Sequence, residues 1–548
     1  MKKKNLLTAL FVAFVTLANA QSNFGTDYFC IGELQTAKEY FEKQVSQKPA
    51  ESNYYLGEIA FAEGNTADAK SFFEKGIAAD ALYMLNYVGQ GKLILKSDQK
   101  AAEVLFATAL KKNKKDVAVN VAIARAYFEC GMNDIANLKL AASMKVGKKS
   151  PLVYVLQGDM LKAENKFGEA AGKYEQAVYF DPNYTAASIK CAQVYESINP
   201  TLSVEILKKV LVAHPDYTIA YRGLGGSYSK NGQYNSAIEA YKTFFAEGRY
   251  NIDDIIGFAS AYYFTDQYEP SIELINKGLA MDSTNFVLNR LRVYNAAKTK
   301  DGVNGVRYAD YFFSLKSEKG TFIPLDYMAY ATILSEGGQF EKSLELFGKL
   351  LESDPKQADV YKELFSVYNK MGDRVKASES FKTYMDLMGE QYVGVLDYYQ
   401  LGRSYYAAGL SFASDSSAVG KAKTNEYLIK ADSTFAKVCE LTPESYTGYL
   451  WRGNTNSALD PETTQGLAKP YYEAAANAIL AKSKESGTNG NTKDLITCYR
   501  YLGYYYYLKE DKENSIKYWN LILELDPNNT TAKQVLDSYK EVKKETKK

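Results

Sequence analysis

The side chains that most often do chemistry are sparse in this chain, or stand where no reaction centre can be assembled around them. There is one histidine in 548 residues, His214, directly before Pro215. A Ser-His-Asp or Cys-His arrangement needs its histidine beside a nucleophile, and a zinc site draws on several His or Cys ligands; one histidine in a turn supplies neither. The five cysteines, Cys30, Cys130, Cys191, Cys439 and Cys498, contain no C-x-x-C pair. Adjacent carboxylates such as Asp253-Asp254 fall where a helix should begin, so capping accounts for them without acid-base work. Two glycine clusters, Gly89-Gln90-Gly91-Lys92 and Gly223-Leu224-Gly225-Gly226, invite a nucleotide-binding reading. Neither follows a strand pattern and the first lacks the upstream glycine of a phosphate loop, so both read as points of close helix approach. No catalytic residue, metal ligand or cofactor is expected, and the chain reads as a non-enzyme.

The elements that carry these residues are best seen in Pro151 to Tyr184. Tyr154, Gly158 and Leu161, spaced by four and three, share one face of a helix. Asn165 tolerates a turn, Phe167 starts a second pattern, and Ala170, Tyr174, Ala177 and Val178 form its buried stripe before Pro182 stops it. Small residues at 158 and 170 opposite large ones let two helices pack closely. A pair this short cannot bury its own apolar surface and requires neighbours.

The neighbours are copies. Aligned on the small residue at 158, the chain presents Gly57, Gly89, Ala124, Gly158, Ala192, Gly225, Ala259, Val293, Ala331, Phe365, Gly402, Gly453 and Gly503, mostly about 34 residues apart, with two steps of 51 and 50 near the end. Period and motif resemble the tetratricopeptide repeat: Tyr221, Leu224, Gly225, Tyr228, Gly232, Ala237 and Tyr241 match its pattern in one repeat, and Tyr499, Leu502, Gly503, Tyr506, Trp519 and Pro527 in another. The resemblance implies an all-α fold, an α-α superhelix (TPR solenoid) of about 13–14 helix pairs with a C-terminal capping helix over residues 531–543. It places an N-terminal array at 21–285, a divergent repeat and bend at 286–323, and a C-terminal array at 324–543 with insertions near 409–425 and 460–491; a Lys-rich tail covers 544–548. If each repeat touches only its neighbours, no two cysteines can meet, and free thiols follow.

The resemblance also points certain off-core side chains into a concave groove: Tyr399, Arg403 and Tyr406 on one helix, Arg500, Tyr504 and Tyr507 on another. Aromatics beside arginine suit a peptide or partner helix, since they bury area at little entropic cost and pair with carboxylates. The Lys and Asn pattern that clamps a C-terminal carboxylate in some family members is missing, because Ser366 follows Lys362 and Leu450 precedes Asn454.

The chain opens with Lys2-Lys3-Lys4, an apolar run from Leu6 to Leu17 and Ala18-Asn19-Ala20, which predicts a signal peptide over 1–20 cleaved after Ala20. Gln21, not Cys, follows, so no lipoprotein anchor is expected, and no later window predicts a transmembrane segment. The net charge of +1 becomes −2 without the three leader lysines. With charges of both signs spread along the chain, no nucleic-acid partner is expected. The reading is an exported scaffold, periplasmic or secreted, that binds protein or peptide partners in a bacterial envelope assembly, secretion or transport complex. The alternative is a carbohydrate- or nutrient-binding module whose groove tyrosines stack on sugars.

Overall fold

The computed structural model describes residues 24–315, 320–486 and 491–545. The leader at 1–20, residues 546–548 of the tail and 487–490 of the second insertion lie outside the described residues. Among those described, regular structure is entirely helical: 29 α-helices and one short 3₁₀ turn, Glu390–Tyr392. Local chemistry sets their limits. Proline occupies the first turn at Pro49, Pro151, Pro200 and Pro324. Asn65, Asp98, Asp116, Asp301 and Asp511 each accept the backbone N–H three residues on. In most pairs the chain turns between the two helices through a left-handed residue, glycine at 64, 131, 232, 338 and 372, and Asn165, Asp266, Lys300 or Glu510 elsewhere.

The contacts divide the chain into two compact units between Ser283 and Thr284. The N-terminal unit holds eight helix pairs; the C-terminal unit holds six and ends in the helix Thr530–Glu545. Packing within pairs follows the small-against-large rule. A Cβ placed on Gly57 would lie 2.5 Å from the Phe73 ring, on Gly158 2.5 Å from Tyr174, on Gly225 2.7 Å from Tyr241 and on Gly503 2.9 Å from Trp519. Each partner ring stands sixteen positions later.

Two positions depart from the expected alignment. In the helix Leu85–Ile94 the residue opposite its own partner ring is Gly91, whose Cβ would meet Phe106 at 2.5 Å; Gly89 faces Phe73 of the preceding pair instead. Both glycines are consumed by packing, which is why that cluster contains two. In the divergent repeat the second helix is regular, Gly302–Ser314, and the offset of sixteen persists, but the sizes are exchanged: Val293 is the larger partner and Ala309 the smaller, both fully buried in one cluster. A pattern search keyed to a small residue in the first helix loses such a pair. The first insertion lengthens two helices, Val395–Ser411 and Ala418–Leu441. In the second, the Asp460 carboxylate accepts the N–H groups of Thr464, Gln465 and Gly466 and so organises the connection to Lys469–Ser486.

The N-terminal unit also breaks the rule that a repeat touches only its neighbours. The first helix, Phe24–Ile31, packs on Thr185–Ile198, five pairs later, and shares a core cluster with Ile189, Tyr217, Ala220 and Leu224. Cys30 therefore rests against the repeat that carries Cys191. All five cysteines are nevertheless free thiols: Cys30 Sγ lies 3.5 Å from the Tyr184 hydroxyl, whereas Cys191 Sγ points to the Ala171 carbonyl at 4.0 Å.

Candidate functional site

The predicted groove residues lie on two first helices of the C-terminal unit, Val395–Ser411 and Thr492–Leu508, with the first helix Tyr446–Leu459 of the intervening pair between them in the chain. Helical spacing puts Tyr399, Arg403 and Tyr406 on one face, and all three converge on Trp451 of the next first helix. The Trp451 Nε1–H donates to the Tyr399 hydroxyl at 3.1 Å, the Tyr406 ring meets the indole edge-on at 5.5 Å, and Phe435 stacks on the indole at 5.4 Å. The Arg403 guanidinium lies 5.7 Å from the Tyr399 ring centroid and 5.5 Å from that of Trp451, and the side chain is exposed. Burial pushes the Tyr406 hydroxyl above its ordinary pKa, so it is neutral at any working pH.

The other three residues form a separate patch. Tyr504 and Tyr507, 44% and 50% exposed, hold their rings nearly parallel at 6.5 Å, and Tyr507 meets Tyr539 at 6.0 Å. Arg500 is exposed one turn away on the same helix. Among the described residues no hydrogen bond, ion pair or ring contact joins this patch to the cluster on Trp451. The intervening first helix is engaged locally, with Tyr446 accepting from Asn491 Nδ2 at 2.7 Å.

Trp451 is the residue at the centre of this cluster that the tyrosine pattern missed. It is one of two tryptophans in the chain and stands two positions before the packing residue Gly453, off the buried stripe. An aromatic in a first helix away from the packing positions is the signal that could have found it.

The neighbouring Arg452 shows what a satisfied arginine looks like here. Its guanidinium makes two 2.9 Å bonds to the Asp432 carboxylate and one of 2.8 Å to the Tyr471 hydroxyl. Among the described residues neither Arg403 nor Arg500 has an ion-pair partner. A cavity of about 490 Å³ opens nearby, lined by Lys382, Tyr398, Tyr405 and Lys437, but none of the six predicted residues lines it. The arrangement is therefore that of a surface, rigid aromatics with a cation held over them, and such a surface could take a carboxylate. Asp253-Asp254 follow the capping reading. Asp254 and Asn251 exchange bonds of 2.9 and 3.0 Å, and Asp254 also takes Arg222 at 2.5 Å. No group of His, Cys, Asp or Glu among the described residues has the arrangement of a metal site, and no described helix is long and apolar enough to cross a membrane.

No family model and no curated protein matches the chain. Among solved structures it is similar to the C-terminal part of a TPR repeat-containing protein from Cytophaga hutchinsonii, 26% identical over 51% of this chain and 98% of that one, with a TM-score of 0.41. It is also similar to a tetratricopeptide repeat protein from Parabacteroides merdae, 13% identical over 46% and 98% with a TM-score of 0.33, and to yeast Tom70, 15% identical over 79% and 92% with a TM-score of 0.30.

Proposed function

We propose that this tetratricopeptide-type stack of helix pairs is a non-enzymatic scaffold that holds other proteins, with its binding face on the first helices of the C-terminal unit. The observation that carries the reading is the exposed Arg403, resting over Tyr399 and Trp451 with no carboxylate partner among the described residues. A partner segment with an acidic residue beside an apolar one would complete it, gaining a charge-assisted bond in a partly dry setting and burying the aromatic edges. The second patch, Arg500 with Tyr504 and Tyr507, would serve a longer partner or a second segment. The setting we infer, an assembly, secretion or transport complex of the bacterial envelope, is read from the leader pattern at residues 1–20 and the absence of an acylatable cysteine after it.

In-cell crosslinking with mass spectrometry tests this, comparing wild type with Arg403→Glu plus Arg500→Glu. Recovery of the main crosslinked protein should fall at least tenfold, because each reversal places like charge where the partner's carboxylate sits. An unchanged partner set would sink the proposal. A sugar ligand would behave differently: an oligosaccharide that shifts Trp451 emission equally in wild type and double variant would favour the carbohydrate reading instead.

A further inference from the structure

The N-terminal unit holds a helix in a place where a partner helix would fit. Phe24, Tyr28 and Ile31 fall at i, i+4 and i+7 on one face of the first helix and seat on the turn and helix around Tyr217 and Ala220. Phe24 packs 4.8 Å from the Tyr217 ring and edge-on to His214 at 5.6 Å, and Tyr28 stacks on Tyr217 at 5.3 Å and 8°. Polar contacts flank these anchors as they do at an interface. The Ala186 N–H donates to Asp27 Oδ1 at 3.3 Å, and Arg222 reaches Glu33 at 2.6 Å. The opposite face of the same helix belongs to its own stack, where Gly25 lies against Tyr40 and Phe29 against Tyr55. Parting the second face alone would leave the first pair in place.

The seat is imperfectly matched to its occupant. The Tyr217 hydroxyl is buried with no hydrogen-bond partner among the described residues, and the Asp27 carboxyl is almost wholly buried on a single long bond. Each of these costs the docked state free energy that a better-matched helix would not lose. Beyond Glu33 the groove continues as a cavity of about 350 Å³ lined by Gln193, Glu196, Arg222, Gly226 and Asp253. Its floor is flat because a Cβ on Gly226 would strike Glu196 at 2.6 Å, and Glu196 makes no ion pair with a described residue. The cis helix stops short of this space.

We propose that this groove is a second binding site, for an amphipathic helix of another protein, and that Phe24–Ile31 is its displaceable occupant. The chemistry of the seat defines the partner: large apolar residues at i, i+4 and i+7, a neutral acceptor where Asp27 stands, a carboxylate two positions after the last anchor for Arg222, and a lysine or arginine a turn beyond for Glu196. The site is distinct from the Trp451 surface, and the two can fail separately.

A fluorescein-labelled synthetic peptide carrying this chain's residues 24–44 is the probe, titrated into the full chain and followed by anisotropy. The cis helix competes at high effective concentration, so wild type should bind it at least tenfold more weakly than the full chain carrying Phe24→Ala and Tyr28→Ala. Adding Arg222→Glu to that variant should reverse the gain at least tenfold. Equal affinity for wild type and the freed variant, or no binding to either, overturns the proposal. Cys30 gives a second readout in wild type, without reliance on the variant's folding. Burial pushes its thiol up and slows its alkylation, so saturating peptide should speed modification of Cys30 several-fold while the other four thiols are unchanged. An unchanged Cys30 rate is equally fatal to the idea.

Discussion

Both units repeat one helix pair, yet their first helices do opposite things with their polar residues. In the N-terminal unit charges at nearly the repeat spacing join one first helix to the next. Lys92, 3% exposed, bridges Glu58 at 2.5 Å and Glu129 at 3.0 Å; Arg125 continues to Asp159 at 2.8 Å, and Lys190 reaches the same carboxylate at 2.8 Å. Burial would push the Asp159 carboxyl up, but Arg125 and Lys190 outweigh it and hold it below its ordinary range. Further along, Arg222 ties Asp254 to Glu33 of the first pair. In the C-terminal unit such links join the first helices near its start, Arg290 with Asp326 and Lys370 with Glu336; further on Arg452 pairs with Asp432 of a second helix, and Arg403 and Arg500 are left facing solvent. The difference teaches that the repeat dictates a backbone stack and leaves the polar residues of its first helices free: one unit spends them along its length on holding itself together, the other leaves Arg403 and Arg500 exposed.

The comparison breaks most sharply at Asp159. Asp159→Ala strands Lys190, leaves Arg125 only the 3.9 Å contact to Glu129 and removes the acceptor of the Tyr174 hydroxyl, so it should cost about 3–5 kcal/mol. Hydrogen exchange resolved by segment should show the loss across the N-terminal unit and leave the helices after residue 284 protected as before. A loss shared equally by both units would refute the division of labour.

A smaller effect sharpens the picture through pH. Burial raises the Asp27 carboxyl to about 6, against bonding from the Ala186 N–H and the charge of His214, with Asp181 adding to the rise. The native state therefore binds this proton more tightly than the unfolded chain. The relative stabilisation is complete below the ordinary value of 3.8 and is lost as pH rises through about 6, a span of about 2–3 kcal/mol. Asp27→Asn keeps an acceptor for Ala186 without the charge. Its melting temperature should match wild type near pH 4 and exceed it at pH 7.5, and a constant difference across that range would exclude Asp27 as the source.

The smallest test concerns what the units share. Gly158→Ala and Gly402→Ala each bring a methyl group against a ring, Tyr174 at 2.5 Å and Phe435 at 2.6 Å. Each should cost about 1–2 kcal/mol by overpacking, in the unit that carries it. Markedly unequal costs in denaturant titrations would mean that the packing rule differs between the units as well.

Much of the fold is legible in the residues, because its signals are local. Prolines and caps mark helix starts, a left-handed turn residue recurs in most pairs, and the contact between residues sixteen positions apart persists even where the sizes are exchanged at Val293 and Ala309. The candidate site is less legible. Tyr399, Arg403 and Tyr406 share a face by helical spacing alone, but that they meet on Trp451 depends on how one first helix lies against the next. How Arg500, Tyr504 and Tyr507 lie relative to that cluster is likewise set by the packing of the intervening pair and not by the spacing within either helix.

By itself, then, the sequence determined the helix pairs, their turns and the rule by which each packs on the next, since these depend on contacts within one or two repeats. Only the tertiary structure decided that Phe24–Ile31 comes to rest on Tyr217 and that Arg403 finds an indole. Those contacts span from some fifty to almost two hundred residues and depend on small rotations accumulated from pair to pair, which no local pattern of residues encodes.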